Sequence, residues 1–262
     1  MSIWGKILGG ATGFAVGGPI GALLGAIAGH AVDTLRDDVR AVEPPPAGGE
    51  AHPGEGAHYG TARPEATRQV AFTVGVIVLG AKMAKADGQV TPDEIRAFRE
   101  VFQVPPNELK NVGRIFDLAR RDSRGFEPYA RQLGKLFQHH PAVLEELLDG
   151  LFHIARADGR VGEPELRYLE GVARLFGFDE IAWKRIRASQ LGEASDDPYT
   201  ILGVEPEAEL EAIKQAHRAL VREHHPDRLT AQGLPPEFVQ VATEKLAKIN
   251  AAWDEVRKRR AA

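Results

Sequence analysis

The chain lacks cysteine altogether, although it is 262 residues long. A disulfide scaffold, a thiolate zinc site and a cysteine nucleophile are therefore all excluded. An excess of positive charge is missing as well, because 33 lysines and arginines face 37 aspartates and glutamates, and the formal net charge is −4. Non-specific nucleic-acid binding normally needs a strongly basic domain, so we expect no nucleic-acid partner. Hydrophobic residues make up 43% of the chain, which is enough to build cores.

Formal charge is also absent from the 23 residues between Ile7 and Gly29. As an α-helix this run is about 34 Å long, enough to cross a hydrocarbon core of about 30 Å. Glycine recurs at every fourth position of the run, a spacing that lets two membrane helices approach closely. The glycines assigned to this contact are Gly9, Gly13, Gly17, Gly21 and Gly25. We therefore predict a transmembrane anchor over residues 1–33 that pairs with a second copy of the chain.

Two alternatives stay open for the same residues. Ala26-Ile27-Ala28 resembles the small-residue cleavage site of a secretory signal peptide. Pro19 and the small number of bulky apolar residues are also compatible with a flexible Gly/Ala leader. Lys6 precedes the run whereas Arg36 and Arg40 follow it, so the positive-inside rule slightly favours a single-pass topology with the C-terminal side in the cytoplasm.

A linker and a helical domain follow this N-terminal run. Residues 34–66 are rich in proline and glycine and poor in bulky apolar side chains, so we interpret them as a flexible linker. Residues 67–191, in contrast, show helical periodicity. The stretch Val70–Met83 is so apolar that it should form a buried central helix. Further helices are predicted over Pro92–Phe102, Asn107–Arg121, Glu127–Phe137, Ala142–Ala157, Glu163–Phe176 and Glu180–Leu191.

An internal repeat lies in this helical region. The sequence AKADGQV at Ala84–Val90 recurs 71 residues later as ARADGRV at Ala155–Val161, and a glutamate follows each copy at the same distance. One hypothesis is an acidic site for a divalent cation with oxygen ligands, formed by Asp87, Glu94, Asp158 and Glu165. The competing interpretation is structural, with the glutamates capping the helices that follow and each Asp-Gly pair ending a helix.

The duplicated pattern Asp-Gly-x-Val-x-x-x-Glu and the order of the helices resemble the TerB-like helical domain. Members of that family are suspected of binding metal through such acidic residues. The resemblance raises the cation hypothesis without deciding between it and capping.

The last segment, residues 196–262, carries the most specific motifs. A helix is predicted from about Leu210 to His224, with a basic stripe on its surface made of Lys214, Arg218 and Arg222 at intervals of four residues. The tripeptide His225-Pro226-Asp227 follows, and its proline biases the chain out of the helix. A second long helix is predicted from about Pro236 to Arg259. The two helices should form an antiparallel hairpin with the tripeptide near its tip.

Two further motifs flank the hairpin. Tyr199-x-Ile201-Leu202-Gly203-Val204 precedes it, and the sequence KINAAW at Lys248–Trp253 lies in its second helix. Together with the tripeptide, these motifs resemble a J domain, the module that defines DnaJ-type co-chaperones. The resemblance implies that His225, Pro226, Asp227 and the basic stripe bind a DnaK-type chaperone and stimulate its ATPase. Many J domains carry an aromatic residue where His217 stands.

The order of a glycine-rich span, a TerB-like domain and a J domain resembles the DjlA-type membrane-anchored co-chaperones over essentially the whole chain. The predicted fold is all-α, with an N-terminal transmembrane helix, a TerB-like helical bundle and a C-terminal J-domain helical hairpin. The resemblance implies a non-enzymatic, homodimeric co-chaperone at the bacterial inner membrane, with a role in envelope-stress or capsule signalling. No cofactor is expected beyond the divalent cation. The alternative function is a TerB-type metal- or stress-sensing interaction protein with a degenerate J domain.

Overall fold

The computed structural model describes residues 18–22, 64–87, 96, 109–122, 125–157, 159–191 and 197–261. Within these ranges the chain is helical and forms no strand, which confirms the predicted all-α fold. The middle region contributes α1 (Pro64–Asp87), α2 (Leu109–Arg121), α3 (Glu127–Leu136), α4 (Pro141–Ala155), α5 (Glu163–Phe176) and α6 (Glu180–Leu191). The C-terminal region contributes α7 (Pro198–Leu202), α8 (Leu210–Glu223), α9 (Pro226–Gln232), a 3-10 helix (Pro236–Phe238) and α10 (Val239–Ala261).

Helix α1 lies at the centre of the middle region, as its apolar sequence predicts. Every residue from Gln69 to Ala84 is buried, and α2, α3, α4 and α5 all pack against this helix. At Gly75 a Cβ atom would lie 2.6 Å from a methyl carbon of Leu133, so glycine is what lets α1 and α3 approach each other. A helix that is apolar on all sides is stable in water only when neighbours cover all of it, and α1 has such neighbours.

The observed helices of the middle region agree with the predicted ones to within two residues at each end, from α2 to α6. Helix α1 extends beyond the predicted Val70–Met83 in both directions, and it begins at Pro64. The predicted helix Pro92–Phe102 lies outside the described residues except for Arg96, which is helical and exposed.

Two short helices of the C-terminal region are absent from the sequence-based prediction. Helix α7 is capped by Asp197, whose side chain accepts a hydrogen bond from the Thr200 amide at 3.2 Å. Pro226 biases the chain out of α8, as predicted, because His225 before it has an extended backbone. Pro226 itself then occupies the first turn of α9, where its missing N–H has no intrahelical partner to lose. The second long helix begins at Val239 rather than Pro236, after the 3-10 turn.

The C-terminal helices divide their apolar side chains between two cores. A small core of their own joins α7, α8 and α10 and is built from Tyr199, Leu202, Ile213, Ile249, Ala252 and Val256. Four other buried side chains, Leu229, Leu234, Phe238 and Ala242, belong to the core of the middle region. Phe238 packs edge-on against Phe72 of α1, with ring centroids 4.8 Å apart. The middle and C-terminal regions therefore share a hydrophobic core.

Residues 18–22 form a helical turn that lies against the middle region. Ile20 is fully buried there, and its amide donates a hydrogen bond to Oε1 of Gln132 at 3.0 Å. Of the glycines assigned to self-association, only Gly21 falls in this turn, and Gly9, Gly13, Gly17 and Gly25 lie outside the described residues. No helix in the part of the chain that the structure describes is long and apolar enough to cross a membrane.

Candidate functional site

The turn His225-Pro226-Asp227 lies between α8 and α9 and faces solvent. His225 is the N-cap residue of α9, with the extended backbone that a residue before proline prefers (φ −66°, ψ 127°). The side chains of His225 and Asp227 are 51% and 94% exposed. The Asp227 amide donates a hydrogen bond to Nδ1 of His225 at 3.3 Å, so the turn is ordered by its own groups. Its functional side chains are thus left available to a partner.

Two of the three residues of the predicted basic stripe lie beside this turn. Arg218 and Arg222 are exposed and line the same shallow groove as His225 and Asp227. Lys214 lies nearer the start of α8, away from the turn, is half-buried, and forms an ion pair with Glu211 at 3.3 Å. The structure therefore brings Arg218 and Arg222 together with the tripeptide, whereas Lys214 lies apart and is partly neutralised.

Arg228 is a further basic residue of this groove that the sequence-based prediction did not include. It lies in the first turn of α9, directly after Asp227, and its exposed side chain lines the groove with Arg218 and Arg222. The signal was its position next to the tripeptide, but only the presence of α9 shows that it faces the same side as the stripe.

A second polar constellation lies behind the turn, buried between the two regions. We define the buried charge cluster as six side chains from both regions. The middle region contributes Glu145, Glu146 and Asp149 of α4 and Arg185 of α6, and the C-terminal region contributes His224 at the end of α8 and Lys245 of α10. Each of these side chains is at most 14% exposed. Because buried charges are costly unless they are paired, ion pairs among its members hold the cluster together, although Oε2 of Glu146 and Oδ1 of Asp149 have no hydrogen-bond partner among the described residues.

Glu145 has the largest number of partners in this cluster. Its two carboxylate oxygens accept hydrogen bonds from the Arg185 guanidinium at 2.8 and 2.5 Å, and Nζ of Lys245 lies 2.5 Å from Oε1. Burial alone would raise the pKa of Glu145, but the positive charges of Lys245 and Arg185 outweigh it and hold this pKa well below its ordinary value. Glu145 is therefore an ionised carboxylate in the folded chain.

Lys245 and His224 connect this carboxylate group to the C-terminal region. Nζ of Lys245 lies 2.8 Å from Oδ2 of Asp149, and Nδ1 of His224 lies 3.0 Å from Oε1 of Glu146. Burial would lower the pKa of Lys245, yet the carboxylates of Asp149 and Glu145 raise it above its ordinary value. Burial raises the pKa of Asp149 despite the nearby ammonium group. None of these contacts was predicted, because they join residues far apart in sequence.

The structure supports capping for the acidic repeat where it describes the residues. The Gly162 amide donates a hydrogen bond of 2.7 Å to Oε2 of Glu165, which is the glutamate half of a capping box. Glu94, Asp158 and the side chain of Asp87 lie outside what is described. Among the described residues there is no group of three or more His, Asp or Glu side chains arranged to hold a metal ion. The cation hypothesis stays a prediction.

An exposed His-Pro-Asp turn beside a basic helix face, on a helical hairpin with its own small core, defines a J-domain protein. Comparison with protein families agrees, since residues 197–260 match the DnaJ domain. Residues 73–188 match the family described as tellurite resistance protein TerB, and residues 1–53 match the co-chaperone DjlA transmembrane domain. The last match indicates a membrane-anchored protein.

Curated relatives named co-chaperone protein DjlA cover most or all of the chain. The relative from Photobacterium profundum is 33% identical over 287 residues, which span 98% of both chains. The relative from Coxiella burnetii is 31% identical over 216 residues, or 75% of this chain and 80% of the relative. No solved structure matches. The chain belongs to the DjlA co-chaperone family, which indicates a regulator rather than an enzyme.

Proposed function

We propose that the chain recruits a DnaK-type chaperone through its J domain and stimulates ATP hydrolysis by that chaperone. The observation that carries this proposal is the groove in which the exposed His225 and Asp227 lie beside Arg218 and Arg222. No core contact occupies the side chains of His225 and Asp227, so a partner can bind them without disturbing the fold.

The charges of this groove set the chemistry of the partner. Arg218, Arg222 and Arg228 suit an acidic protein surface, which they attract and orient by charge complementarity. Pro226 fixes its own backbone angle, so the turn loses little conformational entropy when it binds. Stimulation requires differential binding, because a partner shifts an equilibrium only by the difference in its affinity for the two states. The J domain therefore binds the hydrolysing state of the chaperone more tightly than the resting state.

The anchor extends the proposal to the place of action. We infer that the N-terminal segment spans the bacterial inner membrane once and leaves the helical regions in the cytoplasm, where they take part in envelope-stress or capsule signalling. Lys6 on one side and Arg36 and Arg40 on the other support this orientation. In this spanning state two copies pair through Gly9, Gly13, Gly17, Gly21 and Gly25, and Ile20 leaves the contact with Gln132 that the structure shows. We expect intact chain in the membrane fraction. We also expect cross-linking to trap dimers of the parent chain but not of a Gly17→Leu variant.

The central test is single-turnover ATP hydrolysis by a DnaK-type chaperone with the full chain in lipid vesicles. The parent chain should accelerate hydrolysis, and His225→Gln should abolish the acceleration while the chain stays folded. Lys184→Ala is the matched control, because Lys184 is an exposed cation of α6, paired with Glu180 and remote in sequence from the turn. Failure of the folded parent to accelerate hydrolysis would overturn the proposal.

A further inference from the structure

The residue before the His-Pro-Asp turn is anchored in the middle region. His224 ends α8 and is 1% exposed, although its neighbour His225 faces solvent. Its Nδ1 lies 3.0 Å from Oε1 of Glu146, and its Nε2 lies 3.7 Å from Oε2 of Glu145. Both glutamates belong to α4. The backbone amide of His224 still donates to the Leu220 carbonyl of α8, but its side chain is held by the middle region.

The backbone that leaves α9 is anchored in the middle region as well. Gly233 ends α9 with φ of 112°, and a Cβ atom there would lie 2.7 Å from Cβ of Arg68 on α1. Leu234 and Phe238 follow and are fully buried in the shared core. Any side chain at position 233 would force this segment away from α1, so glycine is required both for the conformation and for the close approach.

Helix α9 contributes nothing to the small core of the hairpin. It buries one side chain, Leu229, and this side chain lies in the core shared with the middle region. The exposed turn is thus flanked by His224, which contacts α4, and by Leu229 and Leu234, which lie in the core shared with the middle region. Helix α9 packs against α8 and α10 of the hairpin and also against α1 and α4 of the middle region.

The charges of the cluster are complementary across this boundary. The middle region provides three carboxylates and the Arg185 guanidinium, and the C-terminal region provides the Lys245 ammonium and the His224 imidazole. Without the C-terminal region, three acidic groups on α4 would keep Arg185 and, for Asp149, Arg156 as cations, but would lose Lys245 and His224. Paired buried charges of this kind fix one arrangement of two surfaces, because any shift leaves a charge without its partner.

From these contacts we infer that the middle region acts as the support of the His-Pro-Asp turn, with His224 and Lys245 as positioning residues that hold the turn in its chaperone-binding orientation. The inference rests on the proposed function and adds to it a role for the TerB-like domain. Neither residue reaches the groove that the chaperone contacts, so each acts through the position of α9. A turn released from its support samples other orientations, and its apparent affinity falls in proportion to the fraction that stays competent.

The test compares His224→Phe with His224→Asn in the full chain. Phenylalanine keeps a planar ring but loses the contact with Glu146, whereas asparagine places an amide nitrogen near the position of Nδ1. We expect His224→Phe to raise the chain concentration that gives half-maximal ATPase stimulation about tenfold, as for a turn that is competent about one tenth of the time. The maximal rate should be unchanged, and His224→Asn should restore most of the affinity.

Hydrogen exchange separates positioning from general destabilisation. In His224→Phe the amides of residues 227–238 should exchange faster while those of α5 keep their protection. If His224→Phe does not fold, Lys245→Met is the second variant. It should likewise speed exchange in residues 227–238 and leave α5 protected. A stimulating parent whose variants loosen residues 227–238 without a change in half-maximal concentration would overturn this inference alone. A parent that does not stimulate the chaperone would overturn the proposed function and this inference together.

Discussion

The imidazole of His217 stacks on the indole of Trp253, with ring centroids 5.3 Å apart and 13° between the ring planes. Nε2 of the same imidazole lies 2.9 Å from Oδ1 of Asn250, one turn earlier on α10. The aromatic residue that many J domains carry at this position is thus replaced by another planar ring, which still joins α8 to α10. The difference that the sequence shows here is small in physical terms.

Replacing His217 should measure how much the contact between α8 and α10 contributes to the free energy of unfolding. His217→Ala removes the stack and the hydrogen bond, and we expect the free energy of unfolding to fall by about 1 kcal/mol. His217→Phe keeps the stack and should lose about half as much. Urea denaturation followed by circular dichroism measures both values. Equal losses in the two variants would show that the ring stack contributes nothing beyond the hydrogen bond.

The arginines of the groove should affect the rate of association with the chaperone more than the rate of ATP hydrolysis in the complex. Arg218→Ala and Arg222→Ala are each expected to raise the half-maximal concentration severalfold at low salt, because exposed charges at the edge of an interface mainly steer encounter. The difference from the parent should shrink at high salt as the charges are screened. ATPase stimulation measured across a salt series tests this, with Lys184→Ala as control. A loss that does not depend on salt would argue against steering.

Glu145 predicts a stability loss in acid, which Asp149 opposes because burial raises its pKa. The pKa of Glu145 in the folded chain lies well below its ordinary value, so the folded chain keeps this carboxylate ionised where the unfolded chain, with a pKa of about 4.3, has taken up a proton. Its contribution to stability is present above about pH 4.3 and is lost as the pH falls toward the folded pKa.

Glu145→Gln isolates this contribution. At neutral pH the variant leaves Arg185 and Lys245 short of a negative charge, and we expect a loss of about 3–5 kcal/mol. The gap between the parent and the variant should narrow as the pH falls below about 4.3. Urea denaturation at a series of pH values measures the gap. A gap that is constant with pH would mean that the charge of Glu145 does not contribute.

Glu165 distinguishes capping from cation binding in the acidic repeat. Glu165→Ala removes the acceptor of the Gly162 amide and should lower the free energy of unfolding by about 1 kcal/mol, whereas Glu165→Gln should lose little. Capping alone predicts that added calcium leaves the melting temperature of the parent unchanged. A calcium-dependent rise that Glu165→Ala loses would support the cation hypothesis instead.

The candidate site was predictable from the sequence as far as its motifs are local. The tripeptide, its neighbours Arg218 and Arg222, and the two helices of the hairpin all follow from spacing along a single segment. Lys214 shows the limit of this approach, because its interval of four residues places it on α8 without showing that Glu211 engages it. Helix α9 was missed because Pro226 signals a boundary, and a boundary can begin a helix as well as end one.

Local sequence was enough to predict the all-α fold, the buried central helix and the family, because helical periodicity and contiguous motifs depend on residues close together in the chain. The packing of the helices, in contrast, is what shows that the two helical regions share one core and that His224 lies buried while His225 lies exposed. Glu146 and His224, which contact each other in the charge cluster, are 78 residues apart in the sequence. Pairing over such a separation is set by how α4, α8 and α10 pack, which no local pattern records.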